Sequence, residues 1–139
     1  MTDGAPIVVL EDERAVALLI RRVLESAGVV CPLEFFSDGD AARSYLRDRA
    51  QKRLAPPALV LLDMHVAGCS GLDVLDALRA LPRLASVPAI VLSGSGGERE
   101  MELAERHGAT AYLVKPAGVL GLVDAIRELG LHELMRSDP

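Results

Sequence analysis

The sequence predicts an α/β fold in which a doubly wound, five-stranded parallel sheet carries helices on both faces. Short apolar runs alternate five times with segments of helical periodicity, and this alternation is typical of parallel sheets. The run 59–62 is continuously apolar and stops on Asp63, as expected of a strand that is buried on both faces. A length of 139 residues favours one core. We therefore expect a single domain across 1–139, with its core at about 6–131 and a tail at 132–139.

The strands and helices are predicted to alternate along the whole chain. Asp12 or Glu13 can cap the first helix, since the free N–H groups of a helix start favour anions, and Gly28 ends it. Pro32 lies near the start of the second strand and suggests an edge position. The predicted strands are 6–10, 29–36, 59–63, 87–92 and 109–114, and the later helices are 41–54, 72–81, 98–107 and 119–135.

Composition and charge argue against several classes of protein. The net charge of −5 and the lack of a basic cluster argue against nucleic-acid binding. The apolar runs are too short to span a bilayer, and the N-terminus carries no signal region, so we expect a cytoplasmic protein without a membrane segment. Cys31 and Cys69 lie far apart, which suggests neither a disulfide framework nor a zinc site.

Polar side chains follow four of the predicted strands at the point where each strand ends. They are Glu11 and Asp12, then Asp63, then Ser93, then Lys115. Each has a plain structural explanation alone, as a helix-start carboxylate, an N-cap, a turn residue or a solvated charge. In open α/β sheets, however, ligands bind beyond the carboxyl ends of the strands. The coincidence of these groups at one sheet edge therefore favours a functional site.

The chemistry of this set points to phosphoryl transfer. Three neighbouring carboxylates repel one another and raise one another's pKa, and a divalent cation removes that conflict. Oxygen ligands with open water positions suit Mg²⁺. Mg²⁺ and Lys115 would neutralise the oxygens of a phosphoryl group, and the Ser93 hydroxyl could donate to one of them. The Asp63 carboxylate would then be an in-line nucleophile that forms an acyl phosphate.

With these residues in place, the chain resembles the CheY-like receiver domains of two-component response regulators, from Ile7 to about Leu131. The resemblance implies the flavodoxin-like strand order 2-1-3-4-5. It assigns metal binding to Glu11, Asp12, Asp63 and the backbone carbonyl of His65, phosphoacceptance to Asp63, switching to Ser93 and Tyr112, and the Lys-Pro signature to Lys115 and Pro116.

The resemblance also implies a function. Such a domain takes a phosphoryl group from a histidine kinase phosphohistidine onto Asp63 with Mg²⁺, and then changes its conformation and partner binding. It catalyses only its own phosphorylation and dephosphorylation, so it is not an enzyme in the usual sense. The long segment 47–57, the Lys-Pro context and the lack of an output domain look most like single-domain regulators paired with phytochrome-type kinases.

The chain departs from the family pattern at a few positions. Ala67 stands where many members carry proline, and Ala117 where many carry phenylalanine. The first change is expected to loosen the loop after Asp63, and neither removes a catalytic group. His65 and Ser95 occupy the two variable positions that tune acyl-phosphate hydrolysis in the family.

Two other functions fit the same fold. A Mg²⁺-dependent phosphohydrolase with an aspartyl-phosphate intermediate usually has a second acid two residues after the nucleophile, and here that residue is His65. A flavin-binding module would need a Ser/Thr/Gly-rich phosphate loop after the first strand. Glu11 and Asp12 stand there instead and would repel a phosphate.

Other reactive side chains have structural interpretations. His107 precedes Gly108 at a helix C-terminus, where a cation is favoured, and His132 is expected on the surface. Cys31 is expected to be a small buried side chain, and Cys69 a loop thiol. Tyr112 has an alternative interpretation as a half-buried strand aromatic.

The last predicted helix carries more apolar surface than one core-facing stripe needs. We interpret the surplus as a homodimer interface through this helix and its adjacent strand. The predicted interface residues are Val119, Leu122, Val123, Leu131 and Leu134. In the alternative, Gly130 ends the helix and the tail folds back over its own core.

Overall fold

The computed structural model describes residues 4–94 and 96–135, and within them five parallel strands form one sheet. The strands are Ile7–Leu10 (β1), Leu33–Phe36 (β2), Leu59–Asp63 (β3), Ala89–Ser93 (β4) and Ala111–Val114 (β5), in the order β2-β1-β3-β4-β5. The helices are Arg14–Ser26 (α1), Gly39–Gln51 (α2), Gly71–Ala80 (α3), Glu98–Arg106 (α4), Ala117–Leu120 (α5) and Leu122–Glu128 (α6), followed by the 3-10 helix His132–Leu134. The predicted fold class and strand order are confirmed.

Strand β3 lies at the centre of the sheet and separates two apolar layers. Leu59 and Leu61 pack in a cluster with residues of α1 and α6, whereas Val60 and Leu62 pack with residues of α2 and α3. Successive side chains of a strand point to opposite faces, so a strand covered by helices on both sides must be apolar throughout. This explains why the run before Asp63 contains no polar residue. None of the helices that the structure describes is long and apolar enough to cross a membrane.

Strand β2 is shorter than predicted and begins at Leu33 rather than Val29. Its only partner in the described sheet is β1, so the predicted edge position is confirmed. The carbonyl of Pro32 accepts a hydrogen bond of 2.8 Å from the Ile7 N–H, which a proline can do because only its N–H is missing. Val29 forms an isolated antiparallel bridge with Met135 instead of belonging to β2.

Helix α3 begins at Gly71, and its N-cap residue lies in the loop after β3 rather than at the end of β3. Ser70 is the N-cap, and its side chain and that of Asp73 form a reciprocal capping box. The interpretation of Asp63 as a cap is therefore wrong, which leaves its carboxylate available. Gly71 is required here, because a Cβ at this position would lie 2.2 Å from the carbonyl oxygen of Asp63.

The single long C-terminal helix predicted at 119–135 is wrong. Helix α6 ends at Glu128, and Gly130 takes φ +76°, which turns the chain. Residues 131–135, which we call the C-terminal strap, then return over the opposite end of the sheet from the carboxylates. The carbonyl of Leu134 accepts a 3.0 Å hydrogen bond from the Val30 N–H, next to the bridge between Val29 and Met135.

The strap accounts for the surplus apolar surface that we interpreted as a dimer interface. Val119, Leu122 and Leu134 are at most 1% exposed and belong to the core of the monomer, so their assignment to an interface is wrong. Val123 and Leu131 are partly buried against the same core. The alternative, in which Gly130 ends the helix and the tail covers its own core, is what the structure contains.

Candidate functional site

The carboxyl ends of four strands meet at one edge of the sheet. Leu10 pairs with Leu62 across β1 and β3, so the residues that follow, Glu11 and Asp63, emerge side by side. Ser93 pairs with Val114 across β4 and β5, which brings Lys115 to the same edge. The sheet register therefore brings together the predicted polar groups.

Lys115 bridges two of these carboxylates. Its Nζ donates hydrogen bonds of 3.0 Å to Glu11 Oε1 and 3.1 Å to Asp63 Oδ2. Its backbone N–H donates to the carbonyl of Ser93 at 2.8 Å, which extends β5 to this residue. Burial lowers the pKa of Lys115, but the hydrogen bonds and charges of Glu11 and Asp63 outweigh it and raise the pKa above its usual value. The ammonium group is thus held charged at the site.

Glu11 is almost fully buried, and its carboxylate is fixed on both sides. Oε1 accepts from Lys115, and Oε2 accepts a 3.1 Å hydrogen bond from the Glu13 N–H. Burial raises the pKa of Glu11 against the opposing effect of these bonds. Glu13 occupies the N-cap position of α1, but its side chain makes no capping hydrogen bond, so the predicted capping role of Glu13 is wrong.

Three carboxylates form a group that could hold a metal ion. Each of Glu11, Asp12 and Asp63 offers an oxygen atom, and these atoms lie within 4.8 Å of one another. Glu11 and Asp63 are buried whereas Asp12 is exposed, so the group is open to water on the Asp12 side. An all-oxygen set with access for water fits a small divalent ion.

The loop after β3 fixes the second oxygen of Asp63. The His65 N–H donates to Asp63 Oδ1 at 3.1 Å, so the backbone of His65 borders the carboxylate. The Nε2 atom of the His65 ring lies 2.7 Å from Glu100 Oε1 on α4. Sequence reasoning missed Glu100, because nothing local marks a residue 35 positions away as the partner of His65.

An open depression of about 400 Å³ gives access to Asp63. Its titratable lining residues are Glu13, Asp63, His65 and Lys115, and Val16, Gly94 and Pro116 complete the wall. A small phosphate compound fits a space of this size. The sequence predicts only a capping role for Glu13, although its position directly after the acidic pair is a signal that it lies at this edge.

Ser93 and Tyr112 lie on one face of the sheet. Tyr112 pairs with Val91, and Val91 and Ser93 are two residues apart on β4, so both side chains point the same way. Ser93 is fully buried, and Tyr112 is partly buried against the cluster that contains Val91. Tyr112 is not among the residues that line the depression.

The other reactive side chains are not among the residues that line the depression. His107 Nδ1 lies 2.6 Å from Asp76 Oδ1, which joins α4 to α3. His132 is exposed, Cys31 is buried and Cys69 is partly exposed in the loop before α3. The predicted surface position of His132, the burial of Cys31 and the loop position of Cys69 are confirmed, and His107 lies at the C-terminus of α4 as predicted.

The chain is similar in sequence to a known protein family and to curated members of it. The family model of the response regulator receiver domain matches residues 7–127. The chain is 32% identical over 123 residues to the probable methanogenesis regulatory protein FilR2 of Methanothrix harundinacea (strain 6Ac), covering 88% of this chain and 79% of that protein. It is 27% identical over 122 residues to the response regulator Rcp1 of Synechocystis sp., covering 87% and 83%.

Two solved structures are similar over nearly the same length. The Mn²⁺-bound form of Rcp1 matches with a TM-score of 0.79 and 25% identity, covering 98% of this chain and 99% of that one. The bacteriophytochrome response regulator RtBRR matches with a TM-score of 0.79 and 31% identity, covering 91% and 78%. The fold of this chain thus occurs in response regulators.

Proposed function

Because the chain belongs to the family of response regulator receiver domains, the phosphoacceptors of two-component phosphorelays, we propose that it accepts a phosphoryl group on Asp63. The observation that carries this proposal is the position of Asp63 at the end of the central strand, with Lys115 bonded to it and the acidic group beside it. A nucleophile and a fixed cation then line one open depression, and the candidate metal site adjoins it through Asp63.

We propose Mg²⁺ as the metal of this site. Glu11, Asp12, Asp63 and the backbone carbonyl of His65 would hold it, as supported by the clustered carboxylate oxygens and by the bond from the His65 N–H to Asp63. When bound, Mg²⁺ supplies positive charge that neutralises the carboxylates and the oxygens of an incoming phosphoryl group.

Three side chains of the protein have defined roles in the proposed phosphoryl transfer. Asp63 supplies the carboxylate oxygen that attacks phosphorus, and the P–N bond of the donor phosphohistidine breaks as the O–P bond forms. Lys115 already lies within hydrogen-bonding distance of Asp63, so it stabilises the added charge without a large movement. Glu11 keeps Lys115 in place through the 3.0 Å bond.

Ser93 and Tyr112 are proposed to transmit the change. A phosphoryl group adds a charge of about −1.5 to −2 and would attract the Ser93 hydroxyl at the end of the neighbouring strand. Tyr112 of β5 lies on the same face of the sheet, where it pairs with Val91, two residues before Ser93 on β4. Movement of Ser93 would make room for the Tyr112 ring to turn inward, and the surface around β5 and α5 would change for a partner.

A phosphohydrolase acting on external substrates has less support. In such an enzyme the residue two positions after the nucleophile acts as the second acid, but here it is His65, whose ring nitrogen is engaged by Glu100 at 2.7 Å. We therefore propose a signalling phosphoacceptor that turns over only its own acyl phosphate.

The variant Asp63→Asn tests the proposed function. It keeps the shape of the side chain but removes the nucleophile, so labelling by acetyl phosphate with Mg²⁺ should disappear while the circular dichroism spectrum stays unchanged. Asp48→Asn, in an exposed ion pair with Lys52 on α2, is the matched control and should be labelled like the wild type. Labelling of Asp63→Asn at the wild-type level would contradict the proposal.

We propose a bacteriophytochrome-type histidine kinase in the cytoplasm as the donor. The support is the similarity to RtBRR, a bacteriophytochrome response regulator, at 31% identity. Phosphotransfer profiling against a panel of purified histidine kinases tests this. Fastest labelling by a phytochrome kinase is expected, and preference for a kinase of another sensor class would contradict it.

We also propose a homodimer through the face of β5 and α5. Its support is Leu120, which is 68% exposed on α5 beside the strand that carries Tyr112. Light scattering at high protein concentration should detect a dimer that Leu120→Glu abolishes. Leu18→Glu, at a position of α1 that is 49% exposed, should leave the dimer intact. A monomer, with or without a phosphoryl mimic, would contradict this proposal.

A further inference from the structure

Glu13 is a charged residue of the depression that the proposed chemistry leaves without a role. It is exposed at the start of α1 and lines the same space as Asp63 and Lys115. Its side chain makes no capping hydrogen bond to α1. Its carboxylate is thus free to act on whatever occupies the depression.

Lys115 and the His65 ring, which both line the depression, already contact other carboxylates. Lys115 donates to Glu11 and Asp63, and the His65 ring contacts Glu100. Among the residues that the structure describes, neither is hydrogen-bonded or ion-paired to Glu13. The entrance to Asp63 therefore carries a negative charge that an approaching phosphodonor must pass.

In-line attack places the leaving group on the side of phosphorus opposite to Asp63, which is the open side of the depression. The two classes of small donor differ in the charge of that group. In acetyl phosphate the P–O bond breaks and acetate departs with the electron pair as an anion. In phosphoramidate the nitrogen is protonated and carries a positive charge; the P–N bond breaks, its electron pair stays on nitrogen, and neutral ammonia departs.

We infer that Glu13 is a specificity-determining residue that selects phosphodonors with a cationic nitrogen leaving group over donors with an anionic leaving group. The inference rests on the proposed phosphorylation of Asp63 and deepens it, because the leaving group of phosphohistidine is also a nitrogen base, an imidazole that takes up its proton on the ring nitrogen not bonded to phosphorus. The Glu13 carboxylate attracts the cationic nitrogen and repels the oxygen that becomes acetate.

The test is the ratio of phosphorylation rates with phosphoramidate and with acetyl phosphate, measured on the full chain with Mg²⁺. Glu13→Gln should lower this ratio about threefold or more, the size expected for an exposed charge several ångströms from the reacting atoms. Since exposed charges are screened within about 3 Å at 1 M salt, the difference from the wild type should vanish there. A structural defect would lower both rates by one factor and leave the ratio unchanged.

Glu25→Gln is the matched control. Glu25 lies on the same helix, roughly 18 Å further along its axis, and its removal changes the net charge equally. This variant should keep the wild-type ratio. Mg²⁺ affinity, measured by titration calorimetry, should be the same for Glu13→Gln and the wild type.

Three results would overturn the inference: an unchanged ratio in Glu13→Gln, an equal shift in Glu25→Gln, or a shift that accompanies a loss of Mg²⁺ affinity. Failure of the proposed function has a different signature. In that case Asp63→Asn would still be labelled by both donors, whatever Glu13→Gln does.

Discussion

Lys115 Nζ lies 3.1 Å from Asp63 Oδ2, although the two residues are 52 positions apart in the chain. The contact joins the end of the edge strand β5 to the end of the central strand β3. Both side chains are largely buried, with relative exposures of 13% and 5%. Without a cation here, Asp63 and Glu11 would be two buried like charges with oxygen atoms within 4.8 Å of each other, so Lys115 stabilises the site before any metal or phosphoryl group arrives.

Lys115→Met should therefore destabilise the metal-free protein by about 3 kcal/mol, since removing one partner of a buried ion pair leaves charges without compensation. Lys52→Met is the control, because its ion pair with Asp48 is exposed at 64% and 53% and should change stability by less than about 0.5 kcal/mol. Urea denaturation in the presence of a chelator measures both. Equal effects of the two variants would contradict the structural role of Lys115.

Asp12→Ala should weaken Mg²⁺ binding by about tenfold or more, the scale of losses seen when groups that support a metal are removed. The metal-free protein should be as stable as the wild type or more so, because one of three clustered carboxylates is gone. Titration calorimetry and thermal melting measure the two effects. Asp124→Ala, on the exposed side of α6, should alter neither, and unchanged affinity in Asp12→Ala would rule out its role as a ligand.

Because the strap packs on the core, alanine substitutions at two leucines of the C-terminal region should differ in their effect on stability. Leu134 is 1% exposed, so Leu134→Ala should cost about 2–5 kcal/mol of unfolding free energy. Leu120→Ala is the same chemical change at an exposed position and should stay within about 0.5 kcal/mol. Denaturant unfolding distinguishes them. Similar stabilities of the two variants would mean that the strap does not pack as described.

The two thiols should react slowly and in a fixed order. Burial and the charge of Glu133 raise the pKa of Cys31, and burial is the main cause that raises the pKa of Cys69. Fewer thiolates than usual are then present at pH 8, so both should react with Ellman's reagent more slowly than free cysteine and faster as the pH rises above 9.

Cys31 should be the slower of the two, because it belongs to the core cluster that contains Leu134 and Met135. Single Cys31→Ser and Cys69→Ser variants assign the rates. Adding Leu134→Ala should speed the reaction of Cys31 and leave that of Cys69 unchanged. Faster reaction of Cys31 than of Cys69 in the otherwise wild-type chain would contradict the burial of Cys31 by the strap.

The sequence by itself determined the sheet and the identity of its reactive edge. Burial on both faces leaves a continuous apolar run before Asp63, and this is a local signal. Parallel strands all end at one edge, so residues that follow the strands, such as Glu11 and Lys115, must come close whatever the details of packing. The family resemblance then added roles that residue types alone do not specify.

Only the tertiary structure decided which C-terminal side chains are buried and which residues surround Asp63. Leu134 and Leu120 look alike in the sequence, yet one is buried and the other is 68% exposed, because the turn at Gly130 returns the strap to the core. The contact between His65 and Glu100 likewise depends on how α4 packs beside the loop after β3. Helical periodicity identifies an apolar face but not what covers it, since that is set by contacts between residues far apart in the chain.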